Sequence, residues 1–218
     1  MLLENWKKYI SATAALVCGI DAEVSELLLR VTDFKRESPI AGIHRIAEMP
    51  DFERRGASEV SDHVLWNIRN KRNTTIEHNI WAAQVQVLFP LIEMERVAII
   101  QKWYPQIKEA LDASTIQQYG ETIKNPIDVE LGTLCYMMSH RVNSDLYLLY
   151  IPSESDRNRI KFLHECRNRL AHVSCCSPEQ ISELLDIAAD GRIAVLTVNE
   201  ESVKIDREKE HCYVTKTC

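Results

Sequence analysis

Glycine and proline are scarce in this chain, 6 and 7 in 218 residues. That argues against a sandwich or barrel, which needs a turn roughly every ten residues. No apolar run approaches the ~20 residues of a membrane-spanning helix. No glycine-rich phosphate loop, dinucleotide fingerprint or Ser-His-Asp string is present. Positive charge is also short: 26 Lys and Arg face 32 Asp and Glu, for a net charge of -6. A broad electrostatic grip on nucleic acid is thereby excluded, although a few arginines converging on one cleft can still act locally.

Cysteine, by contrast, is plentiful: Cys18, Cys135, Cys166, Cys175, Cys176, Cys212 and Cys218. An odd number without regular spacing reads as reduced thiols in a cytoplasmic protein. The stretch from Tyr9 to Ile20 after Lys7-Lys8 is too rich in Ala and Thr for a secretion signal and lacks a cleavage site. His164, Cys166, His172, Cys175 and Cys176 crowd together but lack the paired C-x-x-C knuckle of a zinc site. Packed thiols are expected there, with no metal and no cofactor.

What the sequence does contain is helical periodicity. One helix is expected from Glu4 to Val31, through Leu16, Ile20, Val24, Leu27 and Leu28. A longer one is expected from Ser58 to Leu111, on a stripe including Ile76, Ile80, Val87, Leu91, Met94 and Ala98. Pro90 and Pro105 should kink or divide it. Trp66, Trp81 and Trp103 fall in that pattern and are assigned to the core. Asn125-Pro126 opens another helix, and Ser153 can cap one running to His172. Ser177-Pro178 starts a last helix through Ala189. Alternation at Ile193, Val195, Thr197, Val203 and Ile205 predicts a short hairpin. The expected architecture is an all-α bundle over 1–190 with a hairpin and tail over 191–218.

Chemistry concentrates in Cys166-Arg167-Asn168-Arg169-Leu170-Ala171-His172. Arginine is a permanent cation for phosphate oxygens, and histidine exchanges protons near neutral pH. Asn168 and His172, four apart, share a helix face; Arg167 lies about 100° away and must lean across to meet them. A helix end near Val173 would ease that. A histidine at a helix C-terminus is also favoured by the macrodipole alone, and Arg167 has Glu165 as an ion-pair partner within reach. The loose Arg-to-His spacing recurs at Arg72–His78, Arg157–His164 and Arg159–His164. Only Arg72-Asn73 repeats the amide, without the Leu-Ala pair before the histidine.

Arg-Asn-x-Leu-Ala-His resembles the catalytic signature of the HEPN family, the higher eukaryote and prokaryote nucleotide-binding domains. The resemblance implies a helical bundle, with Arg167, Asn168 and His172 as catalytic residues of a metal-independent endoribonuclease. It further implies an RNA substrate and a homodimer whose two motifs line one cleft. A role as a toxin or antiphage-defence effector, with an antitoxin or defence-system partner protein, follows from the same likeness. In one branch a tyrosine follows the histidine after one residue; here that position is Ser174, so silencing by tyrosine modification is not expected. The alternative reading is a catalytically inactive helical module that assembles with a partner.

Overall fold

The computed structural model describes residues 2–55, 63–142 and 146–187. These residues are mostly helical, in the order α1 (Leu2–Cys18), α2 (Ala22–Val31), α3 (Pro39–Ala47), α4 (Val64–Arg69), α5 (Asn73–Lys102), α6 (Tyr104–Ala113), α7 (Leu131–Ser139), α8 (Glu154–Ala171) and α9 (Pro178–Ile187). The hairpin expected at Ile193–Ile205 lies outside the described residues. Among the described residues, a two-residue-per-strand hairpin occurs at Gln117–Gln118 and Glu121–Thr122. Its turn is Tyr119-Gly120, both at positive φ, the conformation that suits a tight hairpin.

Helix boundaries differ from expectation where the backbone is interrupted. The segment from Glu4 to Val31 is two helices. Gly19 takes φ +60, a left-handed conformation that ends α1, and the Asp21 carboxylate then accepts from Val24 N at 3.1 Å to start α2. The stretch expected from Ser58 is likewise divided, with Lys71 at φ +57 between α4 and α5. Pro105 divides it again at the first turn of α6, whereas Pro90 sits inside a continuous α5. After Asn125 there is only a 3₁₀ turn, Pro126–Asp128, before α7 begins.

α5 is the central element, packing against α1, α8 and α9. Its buried row runs Ile76, Ile80, Gln84, Leu88, Ile92 and Ile99. Beyond Ile80 this is one residue out of phase with the expected stripe of Val87, Leu91, Met94 and Ala98, and Met94 is exposed. The polar Gln84 occupies a core position and so disguises the i, i+4 row it belongs to.

α8 is fastened along α5 by polar contacts as well as by Ile160, Leu163, Cys166 and Leu170. Arg159, 6% exposed, makes a two-pronged bond to Glu95 at 2.6 and 2.8 Å. Asp156 accepts from Lys102 Nζ at 2.6 Å and Trp103 Nε1 at 3.0 Å. Trp6 Nε1 ties α1 to α9 through Asp186 at 2.8 Å. Trp6, Trp81 and Trp103 thus act at the core's edge, each with its N–H satisfied by another element.

Two outcomes follow. Glu95→Gln leaves a buried guanidinium short of its main counter-charge and should cost about 3–5 kcal/mol in urea unfolding. Glu95→Met with Arg159→Met should recover much of that loss. Burial raises the Asp156 carboxyl pKa, but the bond and charge of Lys102, helped by Ser153 and Trp103, outweigh it and hold it below 3.8. Its stabilisation is therefore present above that value and lost as pH falls through the lowered one. Asp156→Asn should flatten the acid limb of the stability profile.

Candidate functional site

Ser153 opens α8 by accepting from Asp156 N at 3.2 Å, and the helix ends at Ala171 with His172 as its C-cap. Ser174 N returns to Arg169 O at 2.8 Å and Val173 N to Leu170 O at 3.4 Å. This is the Schellman pattern, whose left-handed residue is usually glycine. Here that residue is Val173, at φ +57 and 57% exposed. A β-branched side chain there costs on the order of 1–2 kcal/mol.

Contacts from α5 hold the strained end in place. Trp81 Nε1 donates to Leu170 O at 2.7 Å. Gln84, buried, grips the backbone of Cys176 twice: Nε2 to its carbonyl at 3.2 Å, and Cys176 N to Oε1 at 2.7 Å. The turn carrying His172 is therefore anchored on both sides. The His172 side chain is exposed.

The other two motif residues face a different neighbour. Arg167 donates to Glu130, at the start of α7, at 3.3 Å, while Glu165 accepts from Gln180. The partner is thus Glu130 and not Glu165. Tyr119 O–H reaches both Glu130 oxygens at 3.0 Å. Arg167 lines a cavity of about 450 Å³ with Phe89, Arg96, Ile127 and Glu130, and His172 is not among its lining residues. Asn168 is bonded through Nδ2 to His164 Nε2 at 2.9 Å. With the amide donating, His164 accepts at Nε2 and carries its proton on Nδ1. The Gly132 backbone closes over the ring; a Cβ there would stand 3.3 Å from Nε2. Burial and then the Arg167 charge push the His164 pKa below 6.5.

The structure therefore pairs Arg167 with Glu130 and Asn168 with His164, and leaves His172 exposed at the C-cap of the helix. Within one chain Arg167 is paired with Glu130 and points away from His172 by helix geometry. Five residues of helix turn the two directions roughly 140° apart, more than one guanidinium spans. His164 could have been found as the i−4 neighbour of Asn168; Glu130 is distant in sequence and had no local signal. The second candidate pair is also separated. Arg72 stacks over Trp66 at 4.4 Å, and His78 lies against Trp81 at 5.0 Å. Among the described residues no three His, Cys, Asp or Glu side chains form a metal-binding group, and no helix is long and apolar enough to cross a membrane.

No family model matches the chain, and no curated protein or solved structure is significantly similar to it.

In an NMR titration the His164 ring should protonate below 6.5, and Arg167→Gln should move its midpoint upward by removing the adjacent positive charge. Val173→Gly should relieve the left-handed strain and raise stability by about 1 kcal/mol after the extra flexibility of glycine in the unfolded chain is counted. Equilibrium unfolding reads this directly.

Proposed function

We propose that this chain is a metal-independent endoribonuclease of the HEPN type, working in the cytoplasm as a toxin or antiphage-defence effector. The observation that carries the reading is the complete Arg167-Asn168-x-Leu-Ala-His172 string on the last turn of α8, with its histidine exposed at an anchored helix end. The Arg167–Glu130 pair is 30% and 37% exposed. Such pairs are worth roughly 0–1 kcal/mol, so an RNA phosphate can take Glu130's place while Tyr119 retains the carboxylate.

In this reading the ribose 2′-hydroxyl gives up its proton and attacks the adjacent phosphorus, expelling the 5′-oxygen. The products are a 2′,3′-cyclic phosphate and a 5′-hydroxyl end. His172 serves as general base or acid, Arg167 steadies the charge on the phosphorane, and Asn168 orients the phosphate. Because Arg167 and His172 diverge within one chain, the active unit is a homodimer in which the arginine of one copy meets the histidine of the other. DNA, lacking the 2′-hydroxyl, is not a substrate.

The non-catalytic interaction module draws on one observation: Arg167 and Asn168 both have protein partners. The two readings part in a cleavage assay on mixed cellular RNA in EDTA. The nuclease should produce cyclic-phosphate ends, with His172→Ala slowed about 10²–10⁴-fold and Arg167→Gln by a comparable factor. His78→Ala should remain active. Mixing the His172→Ala and Arg167→Gln chains should restore cleavage in the heterodimer that pairs an intact arginine with an intact histidine. Cleavage unaffected by His172→Ala, or a strict monomer in light scattering with RNA present, would reject the mechanism.

A further inference from the structure

Three of the cysteines sit within eleven positions of one another and bracket the motif: Cys166 precedes Arg167, and Cys175 and Cys176 follow the turn after His172. All three are free thiols. Cys166 and Cys176 are buried, at 0% and 4% exposure. Cys176 Sγ donates to the Cys166 carbonyl oxygen at 3.9 Å, and a charge on Cys176 bears on the Cys166 thiol. Cys176 is also a wall of a cavity of about 390 Å³, shared with Tyr9, Glu77, Gln84 and Arg169. A small oxidant entering that cavity meets Cys176, whereas Cys166 is not among its walls.

We propose that Cys166 and Cys176 form a peroxide-reactive pair, Cys176 attacking and Cys166 resolving, whose disulfide ties α8 to the loop after it. The Cys176 sulfur displaces hydroxide from the O–O bond and becomes a sulfenic acid; sulfur is oxidised by two electrons and the peroxide oxygens are reduced. The Cys166 thiol gives its proton to that hydroxide, making water. Its thiolate then attacks the Cys176 sulfur, the S–S bond forms, and the sulfenic oxygen leaves as hydroxide, which the proton released when Cys176 ionised converts to a second water. The sum is two thiols and one hydrogen peroxide giving one disulfide and two waters.

The surroundings set the order of attack. The neighbouring Cys166 thiol, with help from the Arg169 charge, lowers the Cys176 pKa despite burial. The Cys176 side chain and burial push the Cys166 pKa up and keep its thiol protonated. Cys175 lines the cavity too, but its thiol bonds to Glu77 O at 3.6 Å, and burial pushes its pKa up to about 11. A thiol so held is a poor nucleophile near neutral pH. The bond closes a short loop around Arg167, Asn168 and His172, making the motif segment itself the part constrained by oxidation.

The test is independent of any activity. Reduced full-length protein is treated with a small molar excess of hydrogen peroxide, alkylated with N-ethylmaleimide and digested with trypsin, which cuts after Arg167 and Arg169 and so separates Cys166 from Cys175 and Cys176. A cross-linked peptide containing Cys166 and Cys176, reversed by dithiothreitol and still formed in Cys175→Ser, is expected. Cys166→Ser should leave a Cys176 sulfenic acid that dimedone traps, and Cys176→Ser should abolish both products. A Cys175–Cys176 bond, dimedone labelling at Cys175, or full alkylation of all thiols after peroxide would overturn the proposal. Circular dichroism of each variant confirms that it is folded before its result is read.

Discussion

The two hydrogen bonds between Gln84 and the backbone of Cys176 are the constraint on which the motif end of the molecule depends. A primary amide can pair with one residue's N–H and C=O at once, and Gln84, at 1% exposure, has little access to bulk water. An unsatisfied buried group of this kind costs on the order of 1–3 kcal/mol. That is comparable with the strain at Val173, and the two are linked through the short loop between them. The clamp fixes where the chain goes after His172, and the left-handed valine is the conformation that takes it there.

α5 and α8 together divide the labour of the motif. One flank of α8 carries Arg167 toward α7 and the 117–122 hairpin, where Glu130 and Tyr119 receive it. The helix end presents His172 to solvent beside Trp81 and the loop of cysteines. Between them His164 and Asn168 form a neutral, mutually bonded pair next to a permanent cation. Burial and Arg167 both oppose its protonation, so this pair keeps its bonding pattern down to a lower pH than a free imidazole would.

Much of this was legible in the sequence and some was not, for identifiable reasons. α8 was readable from its Ser153 cap to its end near His172, because capping chemistry and apolar spacing agreed. The phase of α5 past Ile80 is hidden in the sequence because Gln84, a core residue, carries a polar label. The break between α1 and α2 required weighing Gly19 and Asp21 above an unbroken apolar pattern. Arg167, Asn168 and His172 could be named from one string, but their partners could not: Glu130 and Tyr119 reach the site only through tertiary folding. The 117–122 hairpin had no alternating apolar residues to betray it, since its strands are two residues long and polar.

The fastening of α8 at separate points along α5 has a consequence for how the gene can change. Between Gln84, which holds the loop after α8, and Glu95, which holds Arg159 within it, the helix has a fixed length. One inserted or deleted codon would rotate everything beyond it by about 100°, and a whole turn would slide it by about 5.4 Å. Either change separates Glu95 from Arg159 while Gln84 keeps its grip. The helix carries a proline at 90 within that segment, but a change in its length would break one hold or the other.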